Sequence, residues 1–372
     1  MNGKLNDFRT YSIARNAPVR RRVASTRAMA RVDDAAAWTP ESLRDPERWS
    51  YRLSPPERAQ IVDATVPLRD TDTPMESIDR SNFVLGSLAA VMEDVRRELL
   101  DGRGIVMLRD FPVETLDRRD QAIAYLGLGA YLGRRLSQNR EGHLLGHVKD
   151  LGGDYSDPNT RGYLTRAEMR FHSDSCDYVG LLCLQTAMRG GESLVASSVS
   201  VYNRMLEQRP DLVAVLSQDF YRSRMGEIGP GEDPWYQLPI FCFDANGRFY
   251  SVGGGVRMEH AQTLPGVPRY TPAQADALEL YRRTIRECAA EIPFLPGDVQ
   301  FLNNYVTMHT RRAYDDWPEP SRKRHLLRLW ISDPDSHPNG LREDSFRRGI
   351  LPKPGTALHV PLDVLDGTRL AD

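Results

Sequence analysis

Two histidines and one aspartate have a spacing that suits a metal site. His172 and Asp174 form an H-x-D pair, and His309 lies far along the chain at the end of another apolar run. Alternate residues of a strand point to the same face, so His172 and Asp174 can reach one ion while His309 supplies a third ligand. Two histidines and one carboxylate that leave open coordination positions are typical of non-heme Fe(II) oxygenases. An H-x-D pair alone is weak, because it occurs by chance in many chains.

Two arginines near His309 strengthen this interpretation. Arg324 and Arg328 lie four residues apart in the otherwise apolar segment RHLLRLW, on the same face of a strand. A guanidinium inside a protein is costly unless it meets an anion, and it can hold a carboxylate with two parallel hydrogen bonds. The pair therefore predicts two carboxylates, or one carboxylate and another anion. The alternative is that these arginines pair with core acids such as Asp298 or Asp315.

The elements that must position these side chains alternate between strand and helix patterns. Residues 271–291 have a capping threonine, a proline at the first helical position and helical spacing, which predict a helix. The apolar run 299–310 predicts one strand that ends near His309, and residues 324–332 predict another. Without repeats or a low-complexity linker, residues 37–372 are expected to form a single domain with an N-terminal helical layer.

The N-terminus has an unusual composition. Seven arginines and no acidic residue occur between residues 9 and 31, and we expect residues 1–36 to form a disordered basic tail. The alternative is a mitochondrial transit peptide. The absence of a secretory signal pattern, together with four cysteines that form no C-x-x-C pair, favours the cytoplasm.

Composition excludes several classes of function. The net charge of −2 argues against a nucleic-acid binder, which would need a basic surplus. No apolar run approaches the roughly 18 residues of a membrane span, so no membrane partner is expected. A small-molecule partner fits these features, and a homodimer is compatible with them.

Two segments resemble a known family. FHSDSCDYVGLLCLQTAMRGGESLVASS and FLNNYVTMHTRRAYDDWPEPSRKRHLLRLW look like the signature segments of the taurine dioxygenase/clavaminate synthase-like (TauD/TfdA) family. These enzymes are Fe(II)- and 2-oxoglutarate-dependent oxygenases. The resemblance implies an α+β fold with a double-stranded β-helix core, also called a jelly-roll, and flanking helices.

The resemblance also implies roles for individual residues. The H-x-D pair and His309 match the iron ligands, and these three residues would carry the catalysis. Arg324 matches the arginine that binds the distal carboxylate of 2-oxoglutarate, and Ser193 lies where relatives place a hydroxyl on the same group. Arg328 matches the position that in several relatives holds an anionic group of the substrate.

The implied activity is the oxidation of a small organic substrate, with O2 and 2-oxoglutarate as cosubstrates and succinate and CO2 as products. Hydroxylation of an anionic or zwitterionic molecule such as an amino acid is the leading expectation. Desaturation, ring closure or oxidative cleavage are alternative outcomes. A zinc hydrolase would leave Arg324 and Ser193 without a purpose, whereas a non-catalytic protein that binds metal or 2-oxoglutarate stays open.

A polar stretch precedes the H-x-D pair and supplies further candidates for substrate binding. These residues are Gln138, Asn139, His147 and Tyr163. The alternative for each is a loop residue that is bonded to backbone.

Overall fold

Strands and helices follow one another along most of the described chain. The computed structural model describes residues 29–69, 71, 73–153, 161–229, 231–341, 343 and 345–362. The strands are β1 Ser50–Arg52, β2 Ile105–Arg109, β3 Arg134–Arg135, β4 Gly146–Val148, β5 Tyr178–Gln185, β6 Arg189–Gly190, β7 Ser193–Ser197, β8 Phe220–Ser223, β9 Trp235–Leu238, β10 Phe241–Phe243, β11 Phe249–Ser251, β12 Ala289–Ile292, β13 Val299–Asn303, β14 Thr307–Arg311, β15 Tyr314–Asp315 and β16 His325–Ser332. The α-helices are α1 Pro55–Arg69, α2 Leu88–Asp101, α3 Arg118–Ala130, α4 Ser198–Gln208, α5 Pro210–Leu216, α6 Gly255–Ala261, α7 Pro272–Glu287 and α8 Ser345–Arg348. Short 3-10 turns occupy Pro40–Leu43, Pro46–Arg48, Met75–Ser77, Gly162–Leu164, Pro320–Arg322 and Pro334–Ser336.

Two sheets carry the residues of interest. The major sheet has the order β1-β2-β13-β5-β16-β3, with β4 also paired to β16. β1 runs parallel to β2, whereas the other pairs of this sheet are antiparallel. The minor sheet has the order β12-β7-β14 and is antiparallel. The fold is therefore a mixed β structure with flanking helices.

The alternation of apolar residues in the strands builds two cores. Ile105 and Met107 of β2 pack in one cluster with Val195 of the minor sheet, so the two sheets face each other. Val106 and Leu108 point to the other side, into a cluster shared with α1, α2 and α3. Both faces of the major sheet are therefore buried, which accounts for the nearly continuous apolar character of its strands.

Helices close the outer faces of both sheets. α1, α2 and α3 cover the major sheet, and α4, α5 and α7 pack in a further cluster beside the minor sheet. α7 begins where the sequence predicts it, because Thr271 and Gln274 form a capping box and Pro272 stands in the first turn. Among the described residues, no helix has the length and apolar character needed to cross a bilayer.

Two predicted element bounds are wrong. The predicted helix 271–291 ends at Glu287, and the chain then forms β12. The predicted strand 299–310 is two strands, β13 and β14, which belong to different sheets and are joined by a turn. In that turn the Asn303 side chain accepts a hydrogen bond from the Tyr305 backbone N–H at 2.9 Å. Asparagine favours such local bonds over the regular ladder of a strand.

Of the predicted tail at residues 1–36, the structure describes residues 29–36. Residues 1–28 lie outside the described residues. Between residues 29 and 36 the chain runs along α4, where the Val32 backbone exchanges two hydrogen bonds of 2.8 Å with the Asn203 side chain. Ala36 is 1% exposed and belongs to the core. The predicted end of the tail at residue 36 is therefore too late, because this segment finds both polar and apolar partners.

Candidate active site

His172, Asp174 and His309 come together where the chain enters β5. The backbones of His172 and His309 exchange two hydrogen bonds of 3.0 and 2.9 Å, which bring their rings to 4.5 Å. The carboxylate of Asp174 lies 3.8 Å from Nε2 of His172 and 3.9 Å from Nε2 of His309. Three ligand atoms, one from each residue, therefore lie within 4.8 Å of one another. This spacing allows one ion to contact all three.

The charges of the triad suit a cation. Burial raises the pKa of Asp174, but the interaction with the Arg328 guanidinium, followed by those with the two histidines, outweighs burial and leaves that pKa lowered. Burial lowers the pKa of His309 to about 3, and the neighbouring His172 acts in the same direction. At neutral pH the triad therefore offers a carboxylate and a neutral imidazole. Oδ2 of Asp174 and Nδ1 of His309 are buried without a hydrogen-bond partner among the described residues.

The orientation of His172 also favours metal binding. Its Nδ1 lies 2.9 Å from the carbonyl oxygen of Arg170 and donates to it. That bond leaves Nε2 as the free lone pair, directed towards Asp174. Metal-binding histidines commonly have their second ring nitrogen fixed in this way. The donor set therefore fits Fe(II), which accepts imidazole and carboxylate ligands.

The turn between β13 and β14 supports the aspartate. The side chain of Asn304 accepts a hydrogen bond from the backbone N–H of Asp174 at 3.0 Å and donates to the carbonyl oxygen of Cys176 at 3.0 Å. Asn304 is fully buried. One asparagine side chain thus fixes the backbone on both sides of Ser175, next to the candidate ligand.

Arg324 is buried beside the glycine turn that precedes β7. One guanidinium nitrogen donates to the carbonyl oxygen of Gly191 at 3.3 Å, and the group lies 5.2 Å from the centre of the Tyr314 ring. Nη1 of Arg324 is buried without a partner among the described residues. The alternative pairing of Arg324 with Asp298 is not present among those residues, since Asp298 contacts Arg109. Nη1 of Arg324 is therefore available to bind an anion.

Ser193 is buried and follows the glycine turn that contacts Arg324. Its hydroxyl donates to Oε1 of Gln300 in β13 at 3.2 Å, so this hydrogen bond joins the two sheets. Nε2 of Gln300 is buried without a partner among the described residues. An unpaired amide donor therefore lies beside the predicted hydroxyl, and no motif in the sequence points to Gln300.

Arg328 and Gln138 lie together at the triad. Nη1 of Arg328 is 3.7 Å from Oδ1 of Asp174, and Nε of Arg328 donates to Oε1 of Gln138 at 2.8 Å. Gln138 in turn donates to the carbonyl oxygens of Arg328 and Leu144 at 2.9 and 3.1 Å. Gln138 therefore holds Arg328 in place with every polar atom of its side chain.

Tyr163 completes one wall of a cavity beside the triad. The guanidinium of Arg328 lies 4.6 Å from the centre of the Tyr163 ring. The cavity has a volume of about 150 Å³. Its lining includes Gln138, Tyr163, His172, Asp174 and Arg328.

Two predicted substrate residues point elsewhere. Asn139 accepts hydrogen bonds from the backbone N–H groups of Glu141 and His143, which is a turn-forming role. His147 lies in β4, and its ring bonds to His325 at 2.8 Å and to the carbonyl oxygen of Pro361 at 3.0 Å. Neither residue lines the cavity at the triad. The predicted substrate contacts of Asn139 and His147 are therefore not supported by their positions.

Comparison with known proteins bears on this geometry. A family model described as "Taurine catabolism dioxygenase TauD, TfdA family" matches residues 69–330. The chain belongs to the TauD/TfdA family. This membership confirms the resemblance seen in the two sequence segments. It also confirms the predicted class of enzyme, an iron- and 2-oxoglutarate-dependent dioxygenase.

Two relatives of this chain come from Streptomyces rubellomurinus and from an Amycolatopsis species. "FR-33289 synthase" of Streptomyces rubellomurinus is 30% identical over 313 residues, which cover 81% of this chain and 90% of that protein. "Uridine-5'-phosphate dioxygenase" of an Amycolatopsis species is 27% identical over 218 residues, which cover 50% of this chain and 72% of that protein.

Solved structures share the fold of this TauD/TfdA member. Asparagine oxygenase in complex with Fe(II), 3-hydroxyasparagine and succinate has a TM-score of 0.59 at 18% identity, over 77% of this chain and 94% of that one. The non-heme iron oxygenase OrfP in complex with Fe and alpha-ketoglutaric acid has a TM-score of 0.56 at 17% identity, over 77% and 94% of the two chains.

The cavity of this TauD/TfdA protein also contains arginines that are not among the predicted substrate residues. Arg161 and Arg257 line it, together with the glycine run 253–255. A Cβ atom on Gly255 would lie 3.3 Å from Cβ of His172, so the run allows close approach to the triad. Three consecutive glycines were therefore the available signal for Arg257, whereas Arg161 lies in a loop without periodicity.

Proposed function

We propose that His172, Asp174 and His309 hold the iron of this dioxygenase. The convergence of their ligand atoms within 4.8 Å carries the proposal. A buried carboxylate oxygen without a partner is costly, and a cation would remove that cost. Bound Fe(II), with O2 and 2-oxoglutarate, would supply the oxidising power to break a substrate C–H bond, and 2-oxoglutarate would end as succinate and CO2.

Arg324 is the proposed partner for the distal carboxylate of 2-oxoglutarate. Its buried, unpaired Nη1 supports this role, because a carboxylate would satisfy it with a charge-assisted hydrogen bond. Ser193 is proposed as a second donor to the same group, to which its hydroxyl would turn from Oε1 of Gln300. The unpaired Nε2 of Gln300 lies on the side chain that Ser193 contacts and adds a third donor.

The two packed sheets are proposed to be the two halves of a double-stranded β-helix. β13 belongs to the major sheet and β14 to the minor sheet, and a single turn joins them, as in a jelly-roll. The apolar cluster around Val195 would be the interior of that β-helix.

Arg328, Gln138 and Tyr163 are proposed to form the substrate wall. Arg328 borders the triad, so an anionic group of the substrate held there would bring neighbouring C–H bonds to the iron. The structure of asparagine oxygenase contains a hydroxylated amino acid, and that of OrfP contains Fe and alpha-ketoglutaric acid. The first supports hydroxylation of a carboxylate-bearing small molecule, and the second supports the use of iron and 2-oxoglutarate.

An anaerobic spectrum would test the proposal. The purified protein would be mixed with Fe(II) and 2-oxoglutarate without oxygen, and the visible absorption recorded. We expect a weak band from Fe(II) chelated by the 2-oxo acid. Folded, metal-replete protein without such a band would overturn the proposal, and its zinc content would then decide for or against the hydrolase alternative.

Variants would assign the residues in the same experiment. His172→Ala should abolish the band by removing an iron ligand. Arg324→Leu should raise the 2-oxoglutarate concentration needed for the band by roughly 10- to 100-fold, because a charge-assisted contact is lost. His359→Ala, at an exposed histidine, serves as the control and should leave the band unchanged.

The cytoplasmic location and the homodimer stay predictions from the sequence. Cell fractionation and light scattering of the full chain would test them separately from the chemistry.

A further inference from the structure

Two arginines of the cavity share one carboxylate. Nη2 of Arg257 lies 2.6 Å from Oε2 of Glu227, and Arg161 contacts Oε1 of the same side chain. The Glu227 side chain is 8% exposed, whereas those of Arg161 and Arg257 are 34% and 24% exposed. Two partly exposed guanidinium groups are thus paired with one buried carboxylate.

A third arginine lies behind the same cavity. Arg222 is 1% exposed and directs its guanidinium to backbone carbonyl oxygens, among them those of Val252 and Gly253 at 2.9 and 2.7 Å. Both of those residues line the cavity. Carbonyl dipoles satisfy the hydrogen bonds of Arg222 but leave its charge uncompensated by any carboxylate among the described residues.

The cavity therefore carries an excess of positive charge. Among the described residues, five arginines line the cavity. Three carboxylates either line the cavity or pair with these arginines, which leaves an excess of two positive charges. Iron with a 2+ charge and doubly ionised 2-oxoglutarate would cancel each other and leave this excess unchanged. The cations are Arg161, Arg170, Arg222, Arg257 and Arg328, and the anions are Asp174, Glu227 and Glu259.

The arginines are close enough to repel one another electrostatically. Burial, followed by the charge of Arg257, lowers the pKa of Arg161 to about 10, and Arg328 acts in the same direction. Arg161 stays charged at neutral pH, so the repulsion persists until an anion enters. A single carboxylate at Arg328 would leave Arg161 and Arg257 with only Glu227 between them.

We propose that the substrate carries a dianionic phosphoryl or phosphonyl group, which Arg161 and Arg257 bind in this cavity. Such a group has terminal oxygens for two guanidinium forks and a charge that matches the excess. A neighbouring cavity of about 470 Å³ shares Tyr236 and Arg257 with this one and leaves room for the group. The inference rests on the proposed function, since it names the substrate class of the same site.

Anion binding to the metal-free protein would test the inference apart from catalysis. Calorimetric titration with inorganic phosphate and with sulfate would be made at pH 6 and pH 8 and at constant ionic strength. Phosphate should bind several-fold more tightly at pH 8, where it is mainly a dianion, whereas sulfate, a dianion at both pH values, should change less. Equal phosphate binding at both pH values, or no binding, would overturn the inference.

Variants would locate the bound anion. Arg161→Met and Arg257→Met should each weaken phosphate binding by roughly tenfold or more, as expected for a lost charge-assisted contact. Glu227→Gln should strengthen phosphate binding, because it removes the competing carboxylate. Arg189→Met is the matched control, since Arg189 pairs with Asp315 at the surface. If Arg189→Met weakened binding as much as Arg257→Met, the anion would be held by general charge and the inference would fail.

Turnover with paired compounds would separate the two proposals. Succinate release would be compared for 2-amino-4-phosphonobutanoate and glutamate, which differ in one terminal group. A preference for the phosphonate that is lost in Arg257→Met would support the inference. A preference for glutamate would overturn it while leaving the dioxygenase proposal intact. Absence of the iron and 2-oxoglutarate band would overturn the proposed function, while phosphate binding would still report on the arginines.

Discussion

Asn304 is buried and bonds to the backbone beside Asp174, which is a proposed iron ligand. Its side chain accepts from the backbone N–H of Asp174 and donates to the carbonyl oxygen of Cys176. We expect Asn304→Ala to lower the affinity for Fe(II) by roughly 10- to 100-fold, because the carboxylate loses its fixed direction. Anaerobic titration with Fe(II), followed by the 2-oxoglutarate band, would measure the change, and activity at saturating iron should fall much less.

The adjacent asparagine provides the control for that substitution. Asn303 is equally buried, but its side chain donates to the carbonyl oxygen of Leu99 and accepts from Tyr305. Asn303→Ala should therefore lower the free energy of unfolding without a selective effect on iron affinity. Equal loss of iron affinity in both variants would show that Asn304 supports only the fold of the turn.

The residues of the site differ in how far the sequence could predict them. The convergence of His172, Asp174 and His309 was predictable, because few side chains bind Fe(II) and their spacing suits strand ends. Polarity alone pointed to His147, and its neighbours in β16 show why that failed. His147 is paired with Leu327, whose side chain faces the helices, whereas Arg328 faces the other sheet. One position along a strand reverses the face.

At the scale of elements, the glycine turn before β7 shapes the site of Arg324. Gly191 has φ +80°, and a Cβ atom there would lie 3.0 Å from Nε of Arg324. Gly191→Ala should therefore press on the guanidinium and raise the KM for 2-oxoglutarate by roughly tenfold, while iron affinity changes little. Steady-state kinetics with varied 2-oxoglutarate would measure this effect.

A second glycine tests the effect of backbone strain without side-chain contact. Gly266 has φ +79°, with nothing within 4 Å of a Cβ atom built on it. Gly266→Ala carries the same strain without contact and should leave the KM for 2-oxoglutarate unchanged. A raised KM in both variants would assign the effect of Gly191→Ala to general destabilisation.

A chain of hydrogen bonds ties β4 and β16 to the C-terminal segment. Arg118 contacts Nδ1 of His325 at 2.8 Å, His325 contacts His147, and His147 contacts the carbonyl oxygen of Pro361. A guanidinium can only donate and a carbonyl can only accept, so both histidines must be neutral for the chain to be complete. Burial, together with the charges of its neighbours, lowers the pKa of His325 to about 2.

That chain predicts a loss of stability in acid. A histidine whose pKa is lowered by folding takes up its proton in the unfolded state first, so stability falls as the pH drops from about 6.5 towards 2. Between pH 7.5 and 5, His325 alone should cost about 2 kcal/mol of unfolding free energy. Urea unfolding at both pH values would measure it, and His325→Gln should show a smaller loss between them. The same loss in His325→Gln as in the unsubstituted protein would contradict the assignment, with His359→Gln as the control at an exposed histidine.

Element prediction succeeded where periodicity and caps agree and failed where tertiary contacts decide. The start of α7 was predictable from Thr271 and Pro272, because caps act locally. The division of residues 299–310 into β13 and β14 was not, since an apolar run does not reveal that its halves join different sheets. The side-chain bonds of Asn303 and Asn304 mark the division only once their partners are known.

At the scale of the molecule, the fold brings distant segments to one site by packing two sheets. The major sheet supplies Arg328 and the minor sheet supplies His309, and the apolar cluster between them holds the two in register. The family could be predicted from two segments because both carry site residues. The arginines at 161 and 257 were beyond that reasoning, since they reach the cavity from segments outside the two sheets.

The segment before the first strand closes one edge of this packing. Trp38 is 4% exposed, lies in the cluster between the sheets, and donates from Nε1 to the carbonyl oxygen of Arg103 at 3.0 Å. We expect Trp38→Ala to lower the free energy of unfolding by about 3 to 5 kcal/mol, as for other large-to-small changes in a core. Denaturant unfolding at pH 7.5 would measure the loss. Trp317→Ala removes the same ring from a partly exposed position and should cost much less. If the two variants were equally stable, the segment that ends at Trp38 would not stabilise the fold. Its contacts with α4 would then not contribute to the packing of the two sheets.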